Sequence, residues 1–243
     1  MQQVEFPPLA LVTGAAHRLG RMIALELAAQ GYAIGLHYHH SYAAAQTTAL
    51  EISATGQAAL LLPADLCDPI QIENMFAAVA ARPYPLRVLV NSAARMERAD
   101  LAQISLEDWD ATLALNLRAP LLCAQHAARM MAPGSLILNI TDAGAGRTWS
   151  GYPAYAVSKA ALETLTRLMA RTFAPRLRVN AIAPGLILPG EDLPESEWQR
   201  LVARLPLQRA GSPEAIALAV RYLIQNDYVT GQSLAVDGGY QLT

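Results

Sequence analysis

Tyr155 and Lys159 stand four residues apart in Tyr155-Ala-Val-Ser-Lys159, and Lys159 is the one lysine of the 243-residue chain. Every other basic position among the 18 Lys+Arg is arginine. Residues i and i+4 share a helix face, so this spacing predicts an ammonium beside a phenol. An ammonium is a compact charge on a flexible stem, whereas a guanidinium is a wide planar fork. A cation beside a phenol favours the phenolate and lowers a pKa that is ordinarily about 10. Such a tyrosine is expected to give or take a proton near neutral pH.

The elements that must position this pair alternate along the chain. Strand-like runs are read at Leu9–Val12, Ala33–Tyr38, Ala58–Leu62, Arg87–Val90, Ser135–Ile140, Leu177–Ala181 and Ser233–Val236. Helices are read near Ala43–Ala54, Pro69–Ala81, Leu106–Met131 and Pro153–Phe173, and another carries Leu19, Ile23 and Leu27. Ser212-Pro213-Glu214 opens a further helix with a capping serine and a proline in the first turn. Short apolar strands alternating with helices predict an α/β domain, a parallel sheet covered on both faces. No linker or repeat divides residues 1–243, so one domain is expected. The segment Pro189–Glu197 reads as a mobile insertion.

Hydrophobic residues make up 53% of the chain and charged ones 16%, which excludes a disordered protein. A formal net charge of -2 gives no electrostatic case for nucleic acid. No apolar run reaches the roughly 18 residues that span a bilayer, and a soluble, cytoplasmic protein is expected. Cys67 and Cys123 lie far apart, and the histidines lack a zinc-binding partner motif, so no metal is expected.

The first strand runs into Thr13-Gly14-Ala15-Ala16-His17-Arg18-Leu19-Gly20 and then a helix. Gly14 suits a tight turn and Gly20 close packing of helix on sheet. The helix N-terminus offers free N–H groups to a pyrophosphate. A carboxylate ending the second strand would bind the ribose 2′-hydroxyl of NAD and repel the 2′-phosphate of NADP. Here no Asp or Glu occurs between Glu26 and Glu51, and His37-Tyr38-His39-His40-Ser41 stands in its place. NADPH is therefore the expected cofactor, with Ser41 and His40 as its phosphate ligands and His39 also among the cofactor-binding residues.

Taken together, these residues resemble the short-chain dehydrogenase/reductase family over nearly the whole chain. The matching pieces are Thr13–Gly20, Asp65 in Ala-Asp-Leu66, Asn91-Ser92-Ala93-Ala94, Asn116, Tyr155/Lys159, Pro184-Gly185 and Val236-Asp237-Gly238-Gly239. The resemblance implies a Rossmann sheet of seven strands in the order 3-2-1-4-5-6-7. It implies Gly14, Arg18, Leu19 and Gly20 around the pyrophosphate, with Asp65 and Leu66 at the adenine. Asn91, Ser92, Ala93, Pro184, Gly185 and Leu186 would frame the nicotinamide side, with Tyr155 and Lys159 at its ribose. Asn116 would hold a water in a proton relay through Lys159. A homotetramer is also implied, with the two long helices pairing between subunits.

Three departures from the common family pattern resemble its pteridine reductase branch, which reduces biopterin-, folate- or monapterin-type rings with NADPH. Arg18 replaces a glycine, Asn-Ser-Ala-Ala replaces Asn-Asn-Ala-Gly, and Asp142 stands where the family has its catalytic serine. A serine hydroxyl donates to a substrate carbonyl, whereas an ionised carboxylate only accepts and suits the N–H donors of a pterin. Met96 occupies the position at which that branch has an aromatic residue stacking on the ring. A thioether packs there less rigidly.

These readings predict a small-molecule reductase with Asp142, Tyr155, Lys159 and Asn116 as catalytic residues. Arg18, Met96, Asp142 and Tyr155 would meet the substrate, and a lid at 186–205 would close over it. The acids Glu191, Asp192, Glu195 and Glu197 read as a solvated helix face. Two alternatives remain: a carbonyl reductase acting on 3-oxoacyl carrier protein, with Arg129 and Arg171 as a docking patch, and a non-catalytic NADP-binding regulator.

Overall fold

Leu9 and Leu11 pack on one face of the central sheet, and Ala10 and Val12 on the other. Successive strand side chains point to opposite faces, so a strand of four fully buried residues must be covered on both sides. The computed structural model describes residues 6–147, 151–190 and 193–243. Seven strands form one sheet in the order β3-β2-β1-β4-β5-β6-β7, and every pairing is parallel. They are β1 (Leu9–Val12), β2 (Ala33–Tyr38), β3 (Ala59–Pro63), β4 (Leu86–Asn91), β5 (Ser135–Ile140), β6 (Leu177–Pro184) and β7 (Ser233–Val236). The expected doubly wound sheet and its strand order are thus observed.

Helices α1 (Arg18–Ala29), α2 (Tyr42–Ala54) and α8 (Pro213–Gln225) cover the face of Ala10 and Val12, through Ile23, Leu27, Ile52, Ile216 and Val220. On the other face α3 (Pro69–Ala80), α5 (Ala119–Met130) and α6 (Pro153–Phe173) bring Ile72, Phe76, Cys123, Ala127 and Met169. Truncating a fully buried leucine such as Leu27 to alanine costs about 2–5 kcal/mol.

The helix expected over Leu106–Met131 is broken. It consists of α4 (Leu106–Leu113), a π-helical turn at Ala114–Arg118, and α5. Pro120 has no N–H to give to the carbonyl of Asn116, and its ring crowds that carbonyl in an unbroken helix. The wider turn relieves this conflict, and the Ala119 N–H reaches back to the Ala114 carbonyl. Such π-bulges are frequent at functional sites. Ser105 caps α4 by accepting from the Asp108 N–H at 3.0 Å.

A short helix, α7 (Glu195–Ala203), begins at the end of the segment read as an insertion and buries Trp198 and Val202. Glu195 and Glu197 lie in its first turn, where the helix dipole favours acids. Glu191 and Asp192 lie outside the described residues. No helix among the described residues is long and apolar enough to cross a membrane, and no group of His, Cys, Asp and Glu there is placed to hold a metal.

Candidate active site

The C-terminal ends of β1, β2, β4, β5 and β6 open onto a cleft of ≈ 630 Å³. Its floor is tied together by Thr13. The Thr13 hydroxyl accepts from the N–H groups of Ser92 and Ala93 at 2.9 and 3.1 Å, locking the glycine-rich turn to the loop after β4. Gly14 sits at φ 65°, and a Cβ there would lie 2.9 Å from the Ala93 Cα. A Cβ on Gly20 would overlap the Gly14 carbonyl, so both glycines are needed for the close approach of turn and helix. At the opposite wall Gly185 donates to the Val236 carbonyl at 3.0 Å, and a Cβ on it would lie 2.6 Å from the Asp237 Cα. That contact explains why Pro184-Gly185 and Val236-Asp237-Gly238-Gly239 occur together.

Asp142, Tyr155 and Lys159 meet in this cleft. The Tyr155 hydroxyl donates to Asp142 Oδ2 at 2.7 Å, and Asp142 Oδ1 accepts from the Gly144 N–H at 2.6 Å. Lys159 Nζ donates to the Ile140 carbonyl at 2.7 Å and lies 5.7 Å from the centre of the Tyr155 ring. Burial brings the Lys159 ammonium down to about 8, against the pull of Asp142. Burial likewise raises the Asp142 carboxyl, although the bonds from Tyr155 and Gly144 and the Lys159 charge oppose the rise.

One expectation is corrected. The phenol of Tyr155 is not acidified: burial, and then the Asp142 carboxylate that accepts its proton, push it well above its ordinary value. Ionising Tyr155 beside Asp142 would place two negative charges in a site shielded from water. The resting form is a protonated tyrosine whose hydrogen bond points at a carboxylate of raised proton affinity.

Asn116 lies in the π-helical turn, is fully buried and does not line the cleft. Its Oδ1 accepts from the Arg95 N–H at 2.9 Å, and its Nδ2 donates to the Arg95 carbonyl at 2.9 Å and to Ser158 Oγ at 3.0 Å. The side chain therefore clamps the loop after β4 onto α6, one residue before Lys159. Asn91 is likewise turned away. Its Nδ2 donates to Asn139 Oδ1 at 2.8 Å, and Asn139 passes the chain on to Thr166 Oγ1 at 2.9 Å.

Of the remaining sequence-predicted residues, Arg18, Leu19, His39, Asp65, Leu66, Ser92, Ala93, Met96, Pro184 and Gly185 line the cleft together with Gly14 and Gly20. His40, Ser41 and Leu186 do not. His40 is exposed with its ring 3.5 Å from that of His39, and Ser41 precedes the first turn of α2. Of the residues expected at the cofactor's phosphate end, His39 lines the cleft and His40 and Ser41 lie outside its lining. Arg18 takes φ 49°, in the left-handed region, so the turn keeps a shape that suits glycine, at a cost of about 1–2 kcal/mol. Its guanidinium spans the cleft to donate to the Pro189 carbonyl at 2.8 Å.

Two histidines escaped the sequence reading. His17 lines the cleft at the start of α1 and makes no side-chain capping bond. His37 is buried: its Nδ1 accepts from the Gly14 N–H at 3.0 Å and its Nε2 donates to the Ala64 carbonyl at 3.0 Å. Only a neutral imidazole with its proton on Nε2 makes both bonds, and burial takes its pKa down to about 4. A charged-or-neutral choice of this kind is set by contacts that sequence spacing does not display.

The glycine-rich turn suits a dinucleotide. The first turn of α1 holds no acidic residue and its N-terminus carries no side-chain cap, so its N–H groups are available to an anion.

The family model described as "Enoyl-(Acyl carrier protein) reductase" matches residues 14–241. The chain belongs to the short-chain dehydrogenase/reductase family, a family of NAD(P)-dependent oxidoreductases. Among its relatives is a 3-oxoacyl-[acyl-carrier-protein] reductase of Synechocystis, 33% identical over 95% of this chain and 96% of the relative. Among solved structures, FolM alternative dihydrofolate reductase 1 from Brucella canis, complexed with NADP, is 33% identical. It superposes with a TM-score of 0.92 over 97% of this chain and 94% of that one. A blue fluorescent protein from a metagenomic library, in complex with NADPH, is 35% identical with a TM-score of 0.90, covering 96% and 97% of the two chains.

Proposed function

We propose that this protein is an NADPH-dependent reductase of pteridine rings of the dihydropterin or dihydrofolate type. The observation that carries the reading is the 2.7 Å bond from the Tyr155 hydroxyl to Asp142 inside the cleft. A carboxylate at that position repels a ketone oxygen but accepts from the amino and ring N–H groups of a pterin. The likeness to the Brucella FolM structure with bound NADP supports the same substrate class and cofactor.

When bound, reduced nicotinamide supplies a hydride to the carbon of a ring C=N. The chain's own part is the proton. Tyr155, protonated at rest, gives its hydroxyl proton to the ring nitrogen. Asp142, ionised while it accepts the Tyr155 hydrogen bond, takes up a proton from solvent, which burial favours by raising its carboxyl, and passes it to the phenolate. The C=N becomes CH–NH while NADPH is oxidised to NADP⁺. Lys159 holds the base of the site through the Ile140 carbonyl and offers its remaining protons to the nicotinamide ribose. Met96, 46% exposed at the cleft mouth, packs on the ring face. The segment after Gly185 closes over the substrate, with Arg18 joined to its backbone.

A second reading, 3-oxoacyl carrier protein reduction, is favoured by the Synechocystis relative. Following NADPH oxidation with dihydrobiopterin, dihydrofolate and an acetoacetyl thioester separates the two. Turnover of the pterins supports the proposal, and turnover of the thioester alone overturns it. We also propose a homotetramer. Leu106, Val157 and Leu168 are exposed on α4 and α6, beside an apolar groove of ≈ 580 Å³ lined by Leu113, Leu117, Leu121 and Leu165. Light scattering at the mass of a monomer would exclude it.

A further inference from the structure

Asp142 is held at two levels. The N–H groups of Thr141 and Ala143 donate to the Ile182 and Pro184 carbonyls at 2.8 and 2.9 Å, so the backbone on either side of Asp142 continues the sheet. The carboxylate is fixed from farther along. Its Oδ1 accepts from the Gly144 N–H at 2.6 Å, and Gly144 lies beyond those two sheet bonds. The turn that carries Gly144 closes on itself: the Ala145 N–H meets the Asp142 carbonyl at 3.0 Å, and the Arg147 N–H meets the Gly144 carbonyl at 2.8 Å. From its end the Arg147 side chain crosses to a distant part of the chain. Nη1 donates to the Tyr240 carbonyl and to Thr243 Oγ1, both at 3.0 Å, and the guanidinium lies 4.6 Å from the centre of the Tyr240 ring.

The far end of this contact is braced. Tyr240 opens a 3-10 turn, Tyr240–Leu242, whose N–H groups are gathered by one side chain. Asp237 Oδ1 accepts from the Gly239 N–H and Oδ2 from the Gln241 N–H, both at 2.9 Å. Asp237 is itself pressed against Gly185, and Gly239 against Pro206. Thr243 Oγ1 donates to the same Tyr240 carbonyl at 2.9 Å. Arg147 therefore grips a turn that is anchored on the opposite wall of the cleft.

Resting on the pteridine reading, we propose that Arg147 is a positioning residue for Asp142: latched to Tyr240 and Thr243, it holds the turn whose Gly144 N–H occupies one carboxylate oxygen and leaves the other to Tyr155. Reacting groups keep a productive geometry when their own partners are locked in place. The N–H on Oδ1 sets the plane of the carboxylate, and with it the direction in which Oδ2 meets the Tyr155 hydroxyl. Arg147 stands outside the lining of the cleft and touches no reacting atom. It acts through the turn and not through its charge, since the Asp142 carboxyl answers to burial, Tyr155, Gly144, Lys159 and Glu163.

The test compares wild type, R147K, R147Q and Tyr240→Ala in three measurements: steady-state turnover of dihydrobiopterin, the dissociation constant of NADPH, and the melting temperature. R147Q should lose roughly tenfold to hundredfold in kcat, the scale of a small misplacement at a reacting group, while NADPH affinity and melting temperature stay near those of wild type. R147K keeps a donor and a cation over the ring and should recover much of the loss. Tyr240→Ala removes the ring and leaves Arg147 and the carbonyl in place. It should lower kcat in the same way, and it decides the matter if R147Q does not fold. Joined to R147Q it should add little, because the two residues act as one unit. Wild-type kcat in the variants overturns the latch, and so does a loss of kcat matched by equal losses of NADPH affinity and melting temperature. Both results leave the pteridine reading in place, whereas a wild type that turns over no pteridine overturns that reading and the latch with it.

Discussion

The Tyr155 hydroxyl lies 2.7 Å from Asp142 Oδ2, on a bond that joins the first turn of α6 to the end of β5. Thirteen residues of chain separate the two. Their meeting turns an isolated phenol into half of a proton-sharing pair. Burial raises both groups and Asp142 holds Tyr155 protonated, so under the proposed function the phenol enters the reaction as a hydrogen-bond donor and not as a phenolate.

Tyr155→Phe removes the donor and keeps the ring. NADPH binding should persist within a few fold while turnover falls by about 10²–10⁴. Parallel titrations of cofactor affinity and steady-state rates check this, and a variant within tenfold of wild-type turnover would mean that the proton comes from elsewhere.

Lys159→Arg preserves the charge but not the shape. Lys159 is 3% exposed and its ammonium meets the Ile140 carbonyl, so a guanidinium has no room to lie flat. Activity should drop at least about tenfold, with a lower melting temperature. Rates near those of wild type would show that the lysine is incidental.

Gly20→Ala and Gly185→Ala drive a methyl into backbone, at the Gly14 carbonyl and the Asp237 Cα. Each should weaken cofactor binding sharply and destabilise the fold by about 1–3 kcal/mol. Gly56→Ala, at an open surface turn with φ 84°, should cost stability without touching cofactor affinity. Denaturant melts with and without NADPH separate the two effects.

His37 makes an acid-side prediction. Its folded-state pKa is depressed to about 4 from the ordinary 6.5, so the unfolded chain takes up the proton first. Its contribution is fully present above about pH 6.5 and is lost as pH falls toward 4, for a total of about 3 kcal/mol. His37→Gln should be less stable at pH 7 and should lose less between pH 6.5 and 4. Unfolding free energies for the pair at each pH report the difference, and parallel curves would contradict the buried neutral imidazole.

Much of this architecture was legible in the sequence. The strand runs and their alternation with amphipathic helices gave the doubly wound sheet, because a buried strand and a one-sided helix differ in period. The ends of elements drifted where pairing extends them, as in β6, which continues to Pro184. Pro120 was a visible signal of the break at Asn116, overlooked because the flanking residues are good helix formers. The site was less legible. Tyr155, Lys159 and Asp142 were found by position, but the direction of the Tyr155 shift depends on burial and a through-space carboxylate. The neutral role of His37 and the turning away of Asn91 depend on partners many residues away, Ala64 and Asn139. His17 sits inside the glycine motif itself and carried a signal as a basic residue at a helix N-terminus.

The carboxylate at position 142 is tested most directly by the ratio of kcat/KM for dihydrobiopterin to that for an acetoacetyl thioester, in wild type and in Asp142→Ser. The account predicts a ratio strongly in favour of the pterin in wild type, falling by about 10²-fold or more in the variant as pterin turnover drops and the thioester is admitted. An unchanged ratio in Asp142→Ser would contradict it.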